Sequence, residues 1–177
     1  KGLTIIPLKR AIEQKSEVIE AHFKSFPRSK DPFGLLNAAC WQDGLFVHVE
    51  KNIAVSSPLV VINQHDAGTA KVSSHSRLLV LIEQGADFSV IEKTVTTGNQ
   101  PVFHSLNEEI KVLANASFKY YKIQNDPGDL IQVSNTTIHQ ENSSRTDAYT
   151  FSLDGKLIRN NLSILIDGEG CESHFFG

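Results

Sequence analysis

Beyond Gly44 the chain holds no stretch of ten residues with the helical apolar period. That excludes every architecture in which helices carry the chain between parallel strands. What replaces the helical period is a series of short runs rich in Val, Ile, Leu, Phe and Thr. They read as strands over 45–49, 59–62, 78–82, 88–91, 110–113, 118–123, 130–133, 149–153, 157–158 and 163–166. Turn residues punctuate them at Gly85-Ala86, Asn115-Ala116, Asp126-Pro127-Gly128, Asp154-Gly155 and Asp167-Gly168-Glu169-Gly170.

A sandwich, a closed barrel and a β-helix all fit a chain of many short strands. Internal echoes favour the β-helix. Segments 79–92 and 112–122 each place a strand, a small residue after Gly85 or Asn115, an aromatic residue and a second strand; 163–176 repeats the scheme around Gly168-Glu169-Gly170. Stacked rungs read this way, because small corner residues let the chain turn while apolar positions line a continuous interior.

Before Gly44 the period is helical. Leu8, Ala11, Ile12, Val18, Ile19, Phe23 and Phe26 alternate with Glu13, Lys15, Glu17 and Glu20, which predicts one amphipathic helix opened near Pro7. A second helix is expected from Asp31-Pro32, an N-cap followed by a first-turn proline, through Leu35, Leu36 and Ala39 to a stop at Asp43-Gly44. The domain reading is a helical segment over 1–44 and a β core over 45–177.

With 40% hydrophobic and 21% charged residues the chain can bury a core of its own. A formal charge of −3 with dispersed Lys and Arg offers no stripe for nucleic acid. No apolar run approaches the roughly 20 residues of a membrane helix. Two cysteines, Cys40 and Cys171, indicate no disulfide framework and fit a reducing cytoplasm. The chain begins at Lys1, contains no methionine and ends at Phe175-Phe176-Gly177, which reads as an excised piece.

No catalytic, cofactor-binding or metal-binding residue is assigned. Cys171 and His174 lie three apart with no second Cys/His pair at zinc spacing, so a structural or incidental role is expected. Cys40 is expected to pack as a small hydrophobe on the second helix, and His48 to face away from Leu45, Val47 and Val49. His65-Asp66 and His75-Ser76 are placed in loops, where no Gly-x-Ser-x-Gly elbow supports a nucleophile. Four Asn-x-Ser/Thr triplets, at Asn115, Asn135, Asn142 and Asn161, are read as chance, with Asn115 and Asn161 at strand corners.

The stretch Asp31-Pro32-Phe33-Gly34-Leu35-Leu36-Asn37-Ala38-Ala39, then Asp43-Gly44-Leu45-Phe46-Val47-His48-Val49, resembles the helix-to-strand junction of the SufB/SufD family. Gly155-Lys156-Leu157-Ile158-Arg159-Asn160-Asn161-Leu162, followed by Leu165-Ile166-Asp167-Gly168-Glu169-Gly170-Cys171, looks like that family's Gly-Gly-Lys-Leu-x-Arg-x-Asp-Leu and Leu-x-Gly-Glu-Gly-Ala strands. Asp154, Asn161 and Cys171 stand where the family has Gly, Asp and Ala.

The resemblance implies a right-handed parallel β-helix. It implies a SufD-type, non-enzymatic scaffold working with a SufB-type scaffold and a SufC-type ATPase in iron–sulfur cluster assembly. The cluster belongs to the full assembly and not to this segment, and flavin binding is left open. A homodimer through an open end rung is a further expectation. Two readings from other classes stand beside it. One is a secreted β-helix enzyme acting on polysaccharide, with Arg159 cast as its base; the other is a β-sandwich binding module.

Overall fold

A computed structural model of the protein describes residues 2–14, 17–26 and 31–177. Two sheets form it. Sheet A runs β1-β2-β4-β6-β8-β10, from β1 (Leu3–Pro7), β2 (Asp43–Val49), β4 (Val72–Ile82), β6 (Val102–Val112), β8 (Leu130–Glu141) and β10 (Leu157–Asp167). Sheet B runs β11-β9-β7-β5-β3, from β3 (Leu59–Ala67), β5 (Asp87–Gly98), β7 (Ser117–Asn125), β9 (Arg145–Asp154) and β11 (Glu172–Phe176). After β2 successive strands alternate between the sheets, and within each sheet they pair in parallel. This is a parallel β-helix. Parallel pairing overturns the sandwich alternative, which needs antiparallel neighbours.

Corners are built alike on every rung. Asn52, Gly85, Asn115, Ser143 and Gly170 adopt positive φ of 61°, 69°, 59°, 55° and 68°. They stack through Gly85 N–H to Ala114 O at 3.1 Å, Asn115 N–H to Asn142 O at 2.9 Å and Ser143 N–H to Glu169 O at 2.8 Å. Only Gly, and less readily Asn or a small polar residue, tolerates this conformation. The residue after each later corner is small: Ala86, Ala116, Ser144 and Cys171.

The interior follows strand alternation. In sheet A the column Val47, Val80, Ile110, Ile138 points inward in register; in sheet B Val90 and Phe88 lie under Tyr120 and Phe118. Full burial of each such side chain contributes about 1.5–3 kcal/mol.

The outer face of sheet A is covered by helices. α1 (Leu8–Glu13) follows Pro7, and with α2 (Glu17–Ser25) it forms a second apolar cluster in which Leu8, Ala11 and Ile19 pack with Phe46, Leu79 and Leu81. The single helix expected over 8–26 is therefore two elements, since α1 stops at Glu13 with Gln14 as its C-cap; Lys15 lies outside the described residues. β1 was not anticipated, and its five residues pair antiparallel with β2. α3 (Pro32–Cys40) starts as expected, the Asp31 carboxylate accepting the Gly34 N–H at 2.9 Å, but it ends at Cys40, and Asp43-Gly44 open β2 rather than stop the helix. Asn37 pins α3 to the sheet by donating to Ser76 O and Ser105 O, both at 3.0 Å.

Most strands run longer than the sequence pattern suggests, and the segments 157–158 and 163–166 are one strand, β10.

Candidate functional site

Three charged side chains lie inside the β-helix. Glu92 on β5 and Lys122 on β7 are register partners in sheet B, and Glu108 on β6 faces them from sheet A. Their parity places them there: Glu92 continues the inward set Phe88 and Val90, Lys122 continues Phe118 and Tyr120, and Glu108 lies between Leu106 and Ile110. Lys122 Nζ is 2.6 Å from Glu108 Oε2 and 3.9 Å from Glu92 Oε2. The Tyr120 hydroxyl donates to Glu108 and, at 3.4 Å, to Glu92, while Asn63 Nδ2 donates to Glu92 at 2.8 Å and Thr136 donates to Glu108.

Two carboxylates share one ammonium, so full ionisation would leave a net negative charge in a low-dielectric interior. Burial pushes Glu92 up to about 7; Lys122 opposes that shift and Glu108 adds to it. Tyr120 is raised by burial and by both carboxylates, which keeps its proton on oxygen and available for donation. Burial therefore favours the protonated form of Glu92 beside the Lys122–Glu108 ion pair.

Next to it lies a histidine pair. His65 and His104 rings approach to 4.5 Å between centroids, and His104 Nε2 is 2.7 Å from Ser76 Oγ. Burial lowers His104 to about 3, with like-charge repulsion from His65 and Lys122 adding, and burial lowers His65 also. Both rings are neutral at pH 7.

A groove of about 1060 Å³ opens outside sheet A, between Phe23, Phe26 and Leu35 of the helical layer and Arg77, Asn135 and Arg159 of the sheet. Its floor carries an asparagine ladder: Asn161 Nδ2 donates to Asn135 Oδ1 at 2.7 Å, and Asn135 Nδ2 donates to Asn107 Oδ1 at 3.3 Å. Among the described residues no three His, Cys, Asp or Glu side chains are placed to hold a metal ion.

Residues 61–177 match the family model described as SUF system FeS cluster assembly, SufBD core domain, and residues 1–61 match the SufBD protein N-terminal region. The chain belongs to the SufBD family. An iron-sulfur cluster assembly SufBD family protein of Staphylococcus saprophyticus is 27% identical over 178 residues, covering 97% of this chain and 37% of that relative. One from Staphylococcus aureus MRSA252 is 28% identical with the same coverage. The chain thus spans 37% of the length of these SufBD relatives.

Within this SufBD chain the residues singled out from sequence do not converge. Cys171 sits in the corner column, its Sγ 3.2 Å from Glu141 O. His174, three residues on, turns to Asp147 instead, with Nδ1 2.8 Å from Oδ1. Burial works to raise Asp147, but hydrogen bonds from Arg145 and His174 prevail and hold its carboxyl below the usual range. Cys40 is exposed at the end of α3 rather than packed as a hydrophobe. His48 faces outward as expected and meets Glu83 at 2.8 Å.

His65-Asp66 and His75-Ser76 lie within β3 and β4, not in loops. His65 points inward and His75 outward, so they form no common site with Asp66. Asn115 is a corner residue; Asn161 is not, because it sits mid-β10 in the asparagine ladder. Arg159 stacks 5.7 Å from the Phe33 ring and lies 3.8 Å from Asp31. No sequence motif marks Glu92, Glu108 and Lys122; the parity of apolar positions in their strands is the signal that could have found them.

Proposed function

We propose that this chain is a non-catalytic scaffold segment for iron–sulfur cluster assembly, part of a SufD-type subunit that works with a SufB-type scaffold and a SufC-type ATPase in the cytoplasm. The observation that carries the reading is the pair of contiguous family matches over 1–61 and 61–177, laid on a β-helix that runs continuously from β2 to β11. The interior supports it physically. Its buried charges are mutually paired and hydrogen-bonded, which gives a fixed core rather than an open cleft. A rigid ladder suits holding partners at set positions better than it suits closing around a substrate.

Cluster iron and sulfide are cargo of the assembly in this reading, and ATP hydrolysis belongs to the SufC-type partner. No helix among the described residues is long and apolar enough to cross a membrane.

The test is co-expression of the full-length parent protein with its SufB- and SufC-type neighbours, followed by anaerobic reconstitution. A ternary complex that acquires a cluster only when this subunit is present is the expected result. Failure to associate with either neighbour overturns the proposal.

A further inference from the structure

The interior cluster holds the two halves of an amide in contact. Lys122 Nζ lies 2.6 Å from Glu108 Oε2, with 3% and 0% of the two side chains exposed. The carboxyl carbon is one bond beyond that oxygen, at roughly the 3–3.5 Å of a near-attack arrangement. Glu108 is on β6 of sheet A and Lys122 on β7 of sheet B, and each strand is paired on both sides, so the backbone fixes both partners. Reactants held this way meet at an effective concentration of about 10⁵–10⁸ M. The site is enclosed, so nucleophile and electrophile both come from this chain and no other molecule has to reach them.

The remaining places in a condensation are also filled by buried side chains. The Tyr120 hydroxyl donates to Glu108 Oε1 and the Thr136 hydroxyl donates to Glu108 Oε2. Donors on both oxygens polarise the carboxyl group and hold the charge that develops when a nucleophile adds to its carbon. A second carboxyl stands beside the nitrogen: Glu92 Oε2 is 3.9 Å from Lys122 Nζ, and Asn63 fixes the other oxygen of Glu92 at 2.8 Å. Burial favours the protonated form of Glu92, which suits it to give one proton and take another. Joining the pair removes two charges whose desolvation is costly, and the dry interior excludes the water that would reverse the step.

We propose that Lys122 and Glu108 condense in the folded chain into an intramolecular isopeptide cross-link, Nζ to Cδ, with Glu92 as the proton carrier. One proton passes from the ammonium to Oε2 along their hydrogen bond. The freed amine adds to Cδ, and charge gathers on Oε1 under the Tyr120 hydroxyl. A second proton leaves the nitrogen by way of Glu92 and reaches Oε2, the Cδ–Oε2 bond breaks, and one water departs. Ammonium and carboxylate become a neutral amide, no electrons are exchanged, and Glu92 and Tyr120 end as they began. The bond ties sheet A to sheet B across the interior. The inference stands apart from the cluster-assembly reading, since it rests on this cluster alone.

Mass spectrometry of the denatured full-length parent protein tests it. The wild type should weigh one water less than its sequence. Trypsin should release a branched peptide that joins residues 94–111 to residues 120–145 and is uncut at Lys122. Glu92→Gln keeps both reacting groups but removes the proton carrier; it should retain the full sequence mass and be cut at Lys122. A wild-type mass equal to that of the sequence would overturn the proposal. So would a water deficit that maps elsewhere, as at Asp154-Gly155, where ring closure also expels water, or a Glu92→Gln protein linked as fully as the wild type.

Discussion

Lys122 and Glu108 meet inside the β-helix, Nζ to Oε2 at 2.6 Å, with the lysine side chain 3% exposed and the glutamate side chain 0%. Neither position is isolated from the other charges: Glu92 Oε2 stands 3.9 Å from the same ammonium. Removing one partner of a buried pair leaves the other uncompensated, which costs far more than the pair itself contributes.

Lys122→Met should therefore destabilise the fold by about 3–5 kcal/mol. Lys122→Met/Glu108→Gln should recover part of that loss, because the second change removes the stranded charge. Urea unfolding at pH 7 measures both. A double variant less stable than Lys122→Met would show that the ammonium is not what compensates Glu108.

Glu92 makes stability depend on pH with a definite sign. Its folded value is raised to about 7, above that of the unfolded chain, so the native state binds more protons between the two. Its contribution is full below the ordinary carboxylate value and is lost as pH rises through 7. Buried neutral histidines act oppositely: His22, lowered to about 4, and His104, lowered to about 3, favour the fold above 6.5 and weaken it as pH falls. The difference between wild type and Glu92→Gln cancels the histidines. Wild type should lose stability relative to Glu92→Gln between about pH 5 and 8, by a few kcal/mol. A flat difference curve would place no excess proton on Glu92.

This cluster was the part of the molecule least legible in the sequence. Glu92, Glu108 and Lys122 are types that normally belong to the surface, and only the rung register brings them together. The same polar inward positions explain why strands were read too short. His104, Gln132 and Gln140 interrupt the apolar pattern of β6 and β8 although the backbone ladder continues. The corners were legible because the left-handed residues Gly85 and Asn115 are each followed by a small one, a local signal. The break after α1 was not, since the apolar period runs on to Phe26 while the chain turns at Gln14. β1 lacked any signal of its own, because its burial comes from pairing with a strand some forty residues away.

Asn37 is the tie between helical layer and sheet. It is fully buried, and its amide donates to two carbonyls on different strands. Asn37→Ala should cost about 1–3 kcal/mol. Hydrogen exchange should speed up in α3 while the amides of β6 and β8 stay protected. Uniform loss of protection across the sheets would instead make Asn37 part of the global core.

Gly44 was read as a helix stop, yet its necessity comes from β2. It lies opposite Arg77 in the register, and a Cβ added there would stand 2.5 Å from Arg77 O and 3.1 Å from Leu8 Cδ2. The first neighbour is backbone of an adjacent strand and cannot yield by a rotamer change, and the second fixes α1 over the sheet. Gly44→Ala should destabilise by about 1–3 kcal/mol through overpacking and loosen α1. Gly68→Ala is the control: its nearest neighbour is Asp66 Oδ1 at 3.5 Å, an ordinary contact, and its effect should stay within about 0.5 kcal/mol. Thermal unfolding of the two variants side by side decides the matter, because equal shifts would mean that β2 and β4 can separate locally without cost.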